Sequence, residues 1–309
     1  MSASPLPRAL IWVLLIALPL PAPAGSWQHE LGTITLESPP TRVVALNWAA
    51  SEALLLLGIT PVGIADKAGY SFWVGEPELP ESVADIGTRV APSLEAIAEL
   101  EPDLIVTSTE LAPAAGLLER IAPTYAISVY KKGSSPYDKA REMLLTLADM
   151  VQRPERARAV LQEIDATLEQ QRLRLAQQGI NKRPVALMSF LDDRHVRIFT
   201  PNGLYQTALD GLGLTNAWPH QGNYWGFSVV GLEALAAYPD SRIIVLKPTP
   251  SGLPEHLASS PFWTYLAPVR NKQVYQIETV WPFGGVLSVQ RLATQLADAL
   301  IQGGSNNVH

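Results

Sequence analysis

No cysteine occurs among the 309 residues of this chain. That excludes a disulfide framework, thiolate metal ligands and the lipid-attachment cysteine that would follow a lipoprotein leader. Long blocks of one charge are missing as well. Lys and Arg total 23 against 29 Asp and Glu, a net charge of −6, and an acidic surface argues against nucleic acid or anionic lipid as a partner. The histidines, at 29, 195, 220, 256 and 309, include no i,i+4 pair and no HExxH. A bare-metal site would therefore have to gather its ligands from distant parts of the chain. There is no GxSxG, no P-loop and no GxGxxG opening a helix after a strand, so nothing in the sequence asks for an enzyme.

A membrane-spanning run is also lacking. The apolar segment Ala9–Leu20 follows the single charge of Arg8 and is interrupted by prolines 19, 21 and 23, short of the roughly 20 residues a span needs. Ala22-Pro23-Ala24 then supplies a small-x-small pattern, so residues 1–24 read as a secretory signal cleaved near Ala24. An anchor retaining Leu20 and its neighbours is the alternative. With no lipid attachment, the periplasm of a Gram-negative cell is the expected location.

What is present is an alternation of strand and helix signals. Arg42–Leu46 is a β-branched run, Ser51–Gly58 is helical, and Pro61–Ala65 is the next strand. Ser71–Asp85, rich in Pro and Glu, reads as a loop. Ser93 is placed to cap a helix running to Glu101, with Leu94, Ile97, Ala98 and Leu100 on its buried side. Pro102-Asp103 ends that helix, and Leu104–Thr107 is a continuous apolar strand. Such βα alternation predicts parallel sheets covered on both faces. Pro136–Val151 and Pro154–Gln178 then contain no strand-like run. Pro154 suits a first helical turn and Gly179 an end, and a helix over Pro154–Gln178 would be about 37 Å long at 1.5 Å per residue. Beyond it, Pro184–Phe190, Arg242–Leu246 and Gln273–Ile277 read as strands, and Leu204–Leu212, Leu232–Ala237 and Val286–Gln302 as helices.

One unit repeats. Leu94-Glu95-Ala96-Ile97-Ala98, Pro102-Asp103 and the following strand recur as Leu232-Glu233-Ala234-Leu235-Ala236, Pro239-Asp240 and Ile243–Leu246. The copies lie on either side of the long helix. The expected fold is therefore α/β, with two Rossmann-like lobes of mostly parallel sheet joined by a single long α-helix. The division is 1–24 leader, 25–153 first lobe, 154–180 helix and 181–309 second lobe.

Among candidate binding residues the aromatic class stands out, with eight tryptophans. Trp48 follows the first strand, and Trp73 lies in Tyr70-Ser71-Phe72-Trp73. Tyr224-Trp225 follows Gly222-Asn223, and Trp281 and Phe283 lie in Val280–Gly285. A loop tryptophan often does no more than cover a small core. Several from both halves fit a wide aromatic cleft for a large, fairly apolar ligand with a few polar anchors. Arg89, just before the capped helix, is the best polar candidate, against an ordinary surface salt bridge.

Several segments carry a resemblance: Arg42–Ala45, Trp73–Pro77 through Leu79-Pro80, Asp85–Arg89, Leu117–Pro123, Tyr224-Trp225-Gly226 and Val280–Ser288. In order and spacing they resemble the helix-linked (class III) periplasmic binding proteins for iron(III)–siderophores, nearest to FhuD-like ferric-hydroxamate receptors. The resemblance implies a shallow aromatic cleft between the lobes, an intact ferric siderophore as ligand, and delivery to an inner-membrane ABC permease by a monomer without a cofactor or protein-bound metal. Trp73, Trp225 and Trp281 match the cleft aromatics, and Arg89 matches the arginine that donates to hydroxamate oxygens. Glu95 and Glu233 match the glutamates that dock on the permease, although a solvated helix face would also suit them. One departure stands out. The family places a tyrosine after the strand equivalent to Leu104–Thr107, where this chain reads Ser108-Thr109-Glu110-Leu111-Ala112-Pro113. That leaves open a different hydroxamate, one with a citrate backbone, or a cationic siderophore group facing Glu110. A cobalamin or haem receptor of the same fold, and a periplasmic siderophore hydrolase, remain rival readings.

Overall fold

The computed structural model describes residues 25–180 and 183–303, so the expected leader lies outside it. The first part of the chain runs β1 (Gly25–His29), β2 (Gly32–Leu36), β3 (Val43–Ala45), α1 (Trp48–Leu56), β4 (Gly63–Ile64) and α2 (Lys67–Trp73). It continues as β5 (Ala84–Asp85), α3 (Leu94–Glu99), β6 (Leu104–Thr107), a 3-10 helix at Thr109–Ala114, α4 (Ala115–Leu118) and β7 (Thr124–Ala126). β1 and β2 pair as an antiparallel hairpin. The other strands form a parallel sheet in the order β5-β4-β3-β6-β7. Val43, Val44, Leu104, Ile105 and Val106 are fully buried, as expected for strands covered on both faces.

Two long helices follow, α5 (Pro136–Met150) and α6 (Pro154–Gln177). Ser135 caps α5 by accepting from Asp138 N, and each helix carries proline in its first turn, where no N–H is missed. α6 ends at Gly179, whose φ is 65°. It buries Ala157, Val160, Leu161, Ile164, Gln171 and Leu175, a stripe at 3.6-residue spacing. The second lobe is β8 (Val185–Phe190), β9 (His195–Phe199), α7 (Tyr205–Leu212), β10 (Phe227–Gly231), a 3-10 helix at Leu232–Ala237 and β11 (Arg242–Leu246). Then come α8 (Leu253–Ser259), α9 (Pro261–Thr264), α10 (Ala267–Arg270), β12 (Val274–Ile277) and α11 (Leu287–Gln302). Among the described residues, no helix is long and apolar enough to cross a membrane.

The two-lobed α/β architecture and its helical link match the expectation; several local readings do not. The second sheet, ordered β10-β9-β8-β11-β12, is mixed. β8, β11 and β12 pair in parallel, while β9 pairs antiparallel with both β8 and β10, so β9 alone is reversed and β10 runs in the direction of β8. The cause is a tight turn after β8, where Asp192 accepts from Arg194 N at 2.8 Å and His195 N at 2.6 Å, and so short a connection yields a hairpin, not a crossover. The second copy of the repeated unit is a 3-10 helix, not an α-helix. In the first copy Ile97 is buried, but Ala98 is exposed. The start of the expected loop Ser71–Asp85 belongs to α2, which Asp66 caps through Gly69 N at 3.1 Å.

α6 packs against α1 and α5 near its start and against α7 and α11 near its end. Arg156 Nε donates to Leu56 O at 3.0 Å, and Gln290 Nε2 donates to Thr167 Oγ1 at 2.8 Å. The lobes also meet directly. Glu52 on α1 is 1% exposed, and its carboxylate accepts from the backbone N–H of Leu287 at 2.9 Å and from that of Gly285. A Cβ at Gly285 would lie 2.4 Å from Glu52 Oε1, so glycine is what permits this approach. Arg291 on α11 reaches back to donate to Val74 O. Burial pushes the Glu52 pKa up to about 7, against the opposing hydrogen bonds and Arg291.

The folded state therefore holds the Glu52 proton to higher pH than the unfolded chain does. Stability should fall as pH rises from about 4.5 to 7 and then level off, with a contribution of ~3 kcal/mol. Glu52→Gln should flatten this part of the pH profile of thermal unfolding. An unchanged slope in the variant would show that Glu52 does not titrate in that interval.

Candidate functional site

In a doubly wound sheet the helix-bound loops at the carboxyl ends of the strands leave a crevice where ligands bind. The first lobe sends its candidate residues there. Trp48 follows β3, Trp73 ends the helix after β4, Arg89 lies in the turn after β5, and Glu110 follows β6. Tyr130 follows β7. From the second lobe, Trp281 and Phe283 follow β12, and Tyr224-Trp225 lie in the long connection between α7 and β10.

Trp48, Arg89, Glu110, Tyr130, Trp225, Trp281 and Phe283 line one cavity of about 270 Å³. Trp73 instead lines a neighbouring cavity of about 520 Å³, and Trp281 and Phe283 border both. The aromatic rings make a continuous chain across the lobes. Trp73 and Trp281 are 5.6 Å apart by ring centroid, Trp281 and Phe283 5.1 Å, Phe283 and Trp225 5.6 Å, and Trp225 and Tyr224 4.9 Å. Most meet edge to face or tilted, the arrangement their quadrupoles favour.

Two of these residues have different local settings from the loop positions expected. Trp48 is the first residue of α1 and only 3% exposed, and its Nε1 donates to Ala65 O at 3.1 Å. It forms the floor of the cavity. Trp73 is the last residue of α2. Tyr224 is 48% exposed and spends its hydroxyl on the backbone oxygen of Tyr130, across the lobe boundary. It borders the aromatic chain and does not line either cavity.

Arg89 is held over this floor. Its guanidinium carbon lies 3.9 Å from the Trp48 ring centroid and 5.5 Å from that of Trp281, a stacked cation–π position. Asp66 Oδ2 stands 3.7 Å from Nε, near enough for an ion pair but too far for a hydrogen bond. Nε consequently has no hydrogen-bond partner, and neither does Asn47 Nδ2, another group lining this cavity. Burial pulls the Arg89 pKa below the usual arginine value, while Asp66 and Glu110 oppose the shift. The arrangement offers unpaired N–H donors above an aromatic surface, suited to a ligand with apolar walls and exposed oxygens.

Tyr130 was not legible in the sequence, because the short strand before it carries no clear periodicity. It supplies an aromatic ring close to the Ser108–Pro113 loop, yet its hydroxyl is already engaged. It donates to Pro282 O at 2.8 Å and accepts from Leu204 N at 3.2 Å. Asn47 was also missed. It caps α1 by accepting from Ala50 N at 2.8 Å, and an Asn directly before a helix is the signal that could have found it. Glu95 and Glu233 are both exposed, each in the first turn of its helix. Glu95 follows Arg89 within the same connection.

Comparison with known proteins places most of the chain beside characterised relatives. Residues 43–280 match the family model described as periplasmic binding protein. The chain is 35% identical over 261 residues to the iron(3+)-hydroxamate-binding protein FhuD of Escherichia coli, covering 84% of this chain and 87% of the relative. It is 28% identical to the Fe(3+) dicitrate-binding periplasmic protein FecB of Escherichia coli, covering 87% and 88%. Among solved structures, the Fe3+–Desferal-bound siderophore-binding protein FhuD from Vibrio cholerae superposes with a TM-score of 0.81 at 29% identity, covering 85% of this chain and 99% of that one.

The Tyr130 hydroxyl is the polar centre of the lobe seam beside the cavity. Tyr130→Phe would leave the Leu204 N–H without its acceptor, at a cost of ~1–3 kcal/mol. Urea unfolding should show a lower midpoint with an unchanged slope; an unaltered midpoint would mean that the bond contributes nothing to the seam.

Proposed function

This chain belongs to the periplasmic binding protein family, and from that premise we propose that it captures an intact iron(III)–siderophore complex, a hydroxamate or mixed citrate–hydroxamate, and delivers it to an inner-membrane ABC permease. The observation that carries the proposal is Arg89, stacked on Trp48 with no hydrogen-bond partner for Nε, inside a cleft walled by Trp225, Trp281 and Phe283. In a ferric hydroxamate the siderophore oxygens fill the iron coordination sphere, and their outer lone pairs remain to accept from a guanidinium. The relatives named above, a hydroxamate binder, a ferric dicitrate binder and a Desferal-bound receptor, support the same ligand class.

In this reading the protein is a binding component and not an enzyme, acts in the periplasm as a monomer, and performs no chemistry on its ligand. The aromatic chain packs against the organic shell while Arg89 fixes the oxygen face. Glu110, on the same cavity wall, adds negative charge near Arg89, in the loop where the family resemblance implies a tyrosine. The division into lobes at 25–153 and 181–309, with 154–180 as their link, belongs to the same proposal. Glu95 and Glu233, exposed and one to a lobe, would be met by permease cations.

Tryptophan fluorescence tests the ligand. Ferrichrome, ferrioxamine B or ferric aerobactin should quench saturably, and Arg89→Ala should weaken binding about ten- to a hundredfold. Unchanged affinity for every siderophore would remove the anchor role. Reversing charge at both Glu95 and Glu233 should stop uptake in cells and leave binding intact. Loss of binding in that double variant would assign them to the fold instead.

A further inference from the structure

The larger cavity contains a cation with no counterpart. β9 alternates strictly: Val196 and Ile198 pack into the second lobe's own core, and Arg197 takes the other face. There it stands between Ser189 of β8 and Val229 of β10, in register with both. Its guanidinium lies 4.5 Å from the Phe227 ring centroid. Among the described residues, no carboxylate lies within ion-pair distance of it, and Nε is buried with no hydrogen-bond partner. Burial also lowers its pKa.

Packing alone does not call for such a residue. A methionine or leucine would cover Phe227 without desolvating a charge, and a buried unpaired polar atom requires an explanation. Lys247, the other cation on this cavity, is already answered by Glu278 at 2.6 Å. The Tyr205 hydroxyl is likewise engaged, donating to Val280 O. Arg197 is thus the donor left open in a cavity of about 520 Å³ that shares Trp281 and Phe283 with the Arg89 cavity.

We propose that this second cavity is a subsite for a carboxylate-bearing arm of the ligand, with Arg197 as its partner. The inference rests on the siderophore reading above. A ferric complex seated against Arg89 would extend over the Trp281–Phe283 ridge and place an anionic arm against Arg197. A planar guanidinium can pair bidentately with a carboxylate, and the Ser189 and Thr249 side chains on the same lining add polar surface around it. A neutral trihydroxamate would leave Arg197 unanswered, so the subsite favours a hydroxamate with a free carboxylate over a neutral one.

The experiment compares ferric aerobactin, whose two lysine-derived arms carry α-carboxylates outside the iron coordination sphere, with neutral ferrichrome, using wild-type protein, Arg197→Gln and Arg197→Lys. Arg197→Gln should weaken aerobactin binding about tenfold or more and leave ferrichrome within twofold, which also shows that the variant is folded. Arg197→Lys should recover part of the loss. Equal effects on both ligands, or wild-type protein that binds ferrichrome and ignores aerobactin, would overturn the subsite and leave the siderophore reading standing. Wild-type protein that binds neither would remove that reading, and the subsite with it.

Discussion

The carboxylate of Glu52 belongs to the first lobe, yet its hydrogen bonds are to the second, at the N-terminus of α11. A buried carboxylate is costly unless its lone pairs are met, and the backbone N–H groups at a helix start are unpaired donors within the helix itself. Each requirement answers the other, which locks α1 against α11. The lock bears directly on the cleft. Trp48 opens α1, and Trp281, Phe283 and Gly285 lie in the segment that leads into α11. Arg291 extends the same seam to Val74, the residue after Trp73. With Tyr130 joining Pro282 and Leu204, the aromatic chain that crosses the lobes is built on elements the seam holds in place.

Such a seam, reinforced by α6 running along both lobes, suits a receptor whose cleft exists before the ligand arrives. A preformed aromatic surface loses little side-chain freedom on binding, and indole rings are rigid for their area. The polar component is small and concentrated: Arg89 with Asn47 in one cavity, Arg197 in the other. Each donor is desolvated by neighbouring aromatic rings, which raises the strength of the hydrogen bond it makes with an oxygen acceptor. This division of labour, area from rings and orientation from a few guanidinium and amide groups, fits a bulky complex with an apolar shell and a limited set of exposed oxygens.

Much of the architecture could be read from particular residues. Pro154 and Gly179 bracketed α6 to within a residue because a missing N–H and a positive φ are properties of single amino acids. Ser93 located the start of α3, and the apolar run Leu104–Val106 could only be a strand buried on both faces. β9 and β10 were invisible by the same logic. The reversal of β9 depends on the Asp192 turn and on pairing with β8, β10 joins the sheet only through β9, and Arg197 interrupts the apolar run of β9. The 3-10 form of Leu232–Ala237 likewise differs from α3 despite nearly identical residues, so the difference comes from its surroundings.

The same split runs through the cleft. Residue type by itself determined that aromatics would gather at strand ends, that an arginine would stand among them, and that no cysteine chemistry or thiolate metal ligation was available. Only the tertiary structure decided which rings line a cavity and which brace it. Trp48 became a floor, and Tyr224 a tie to Tyr130. Tyr130, Glu52 and Arg197 gained their roles only on folding, since each acts through groups tens to hundreds of residues away. The reason is physical. Periodicity and capping are local energies written into neighbouring residues, whereas the burial of a polar atom, and the absence of a partner for it, depend on the whole chain being packed around it.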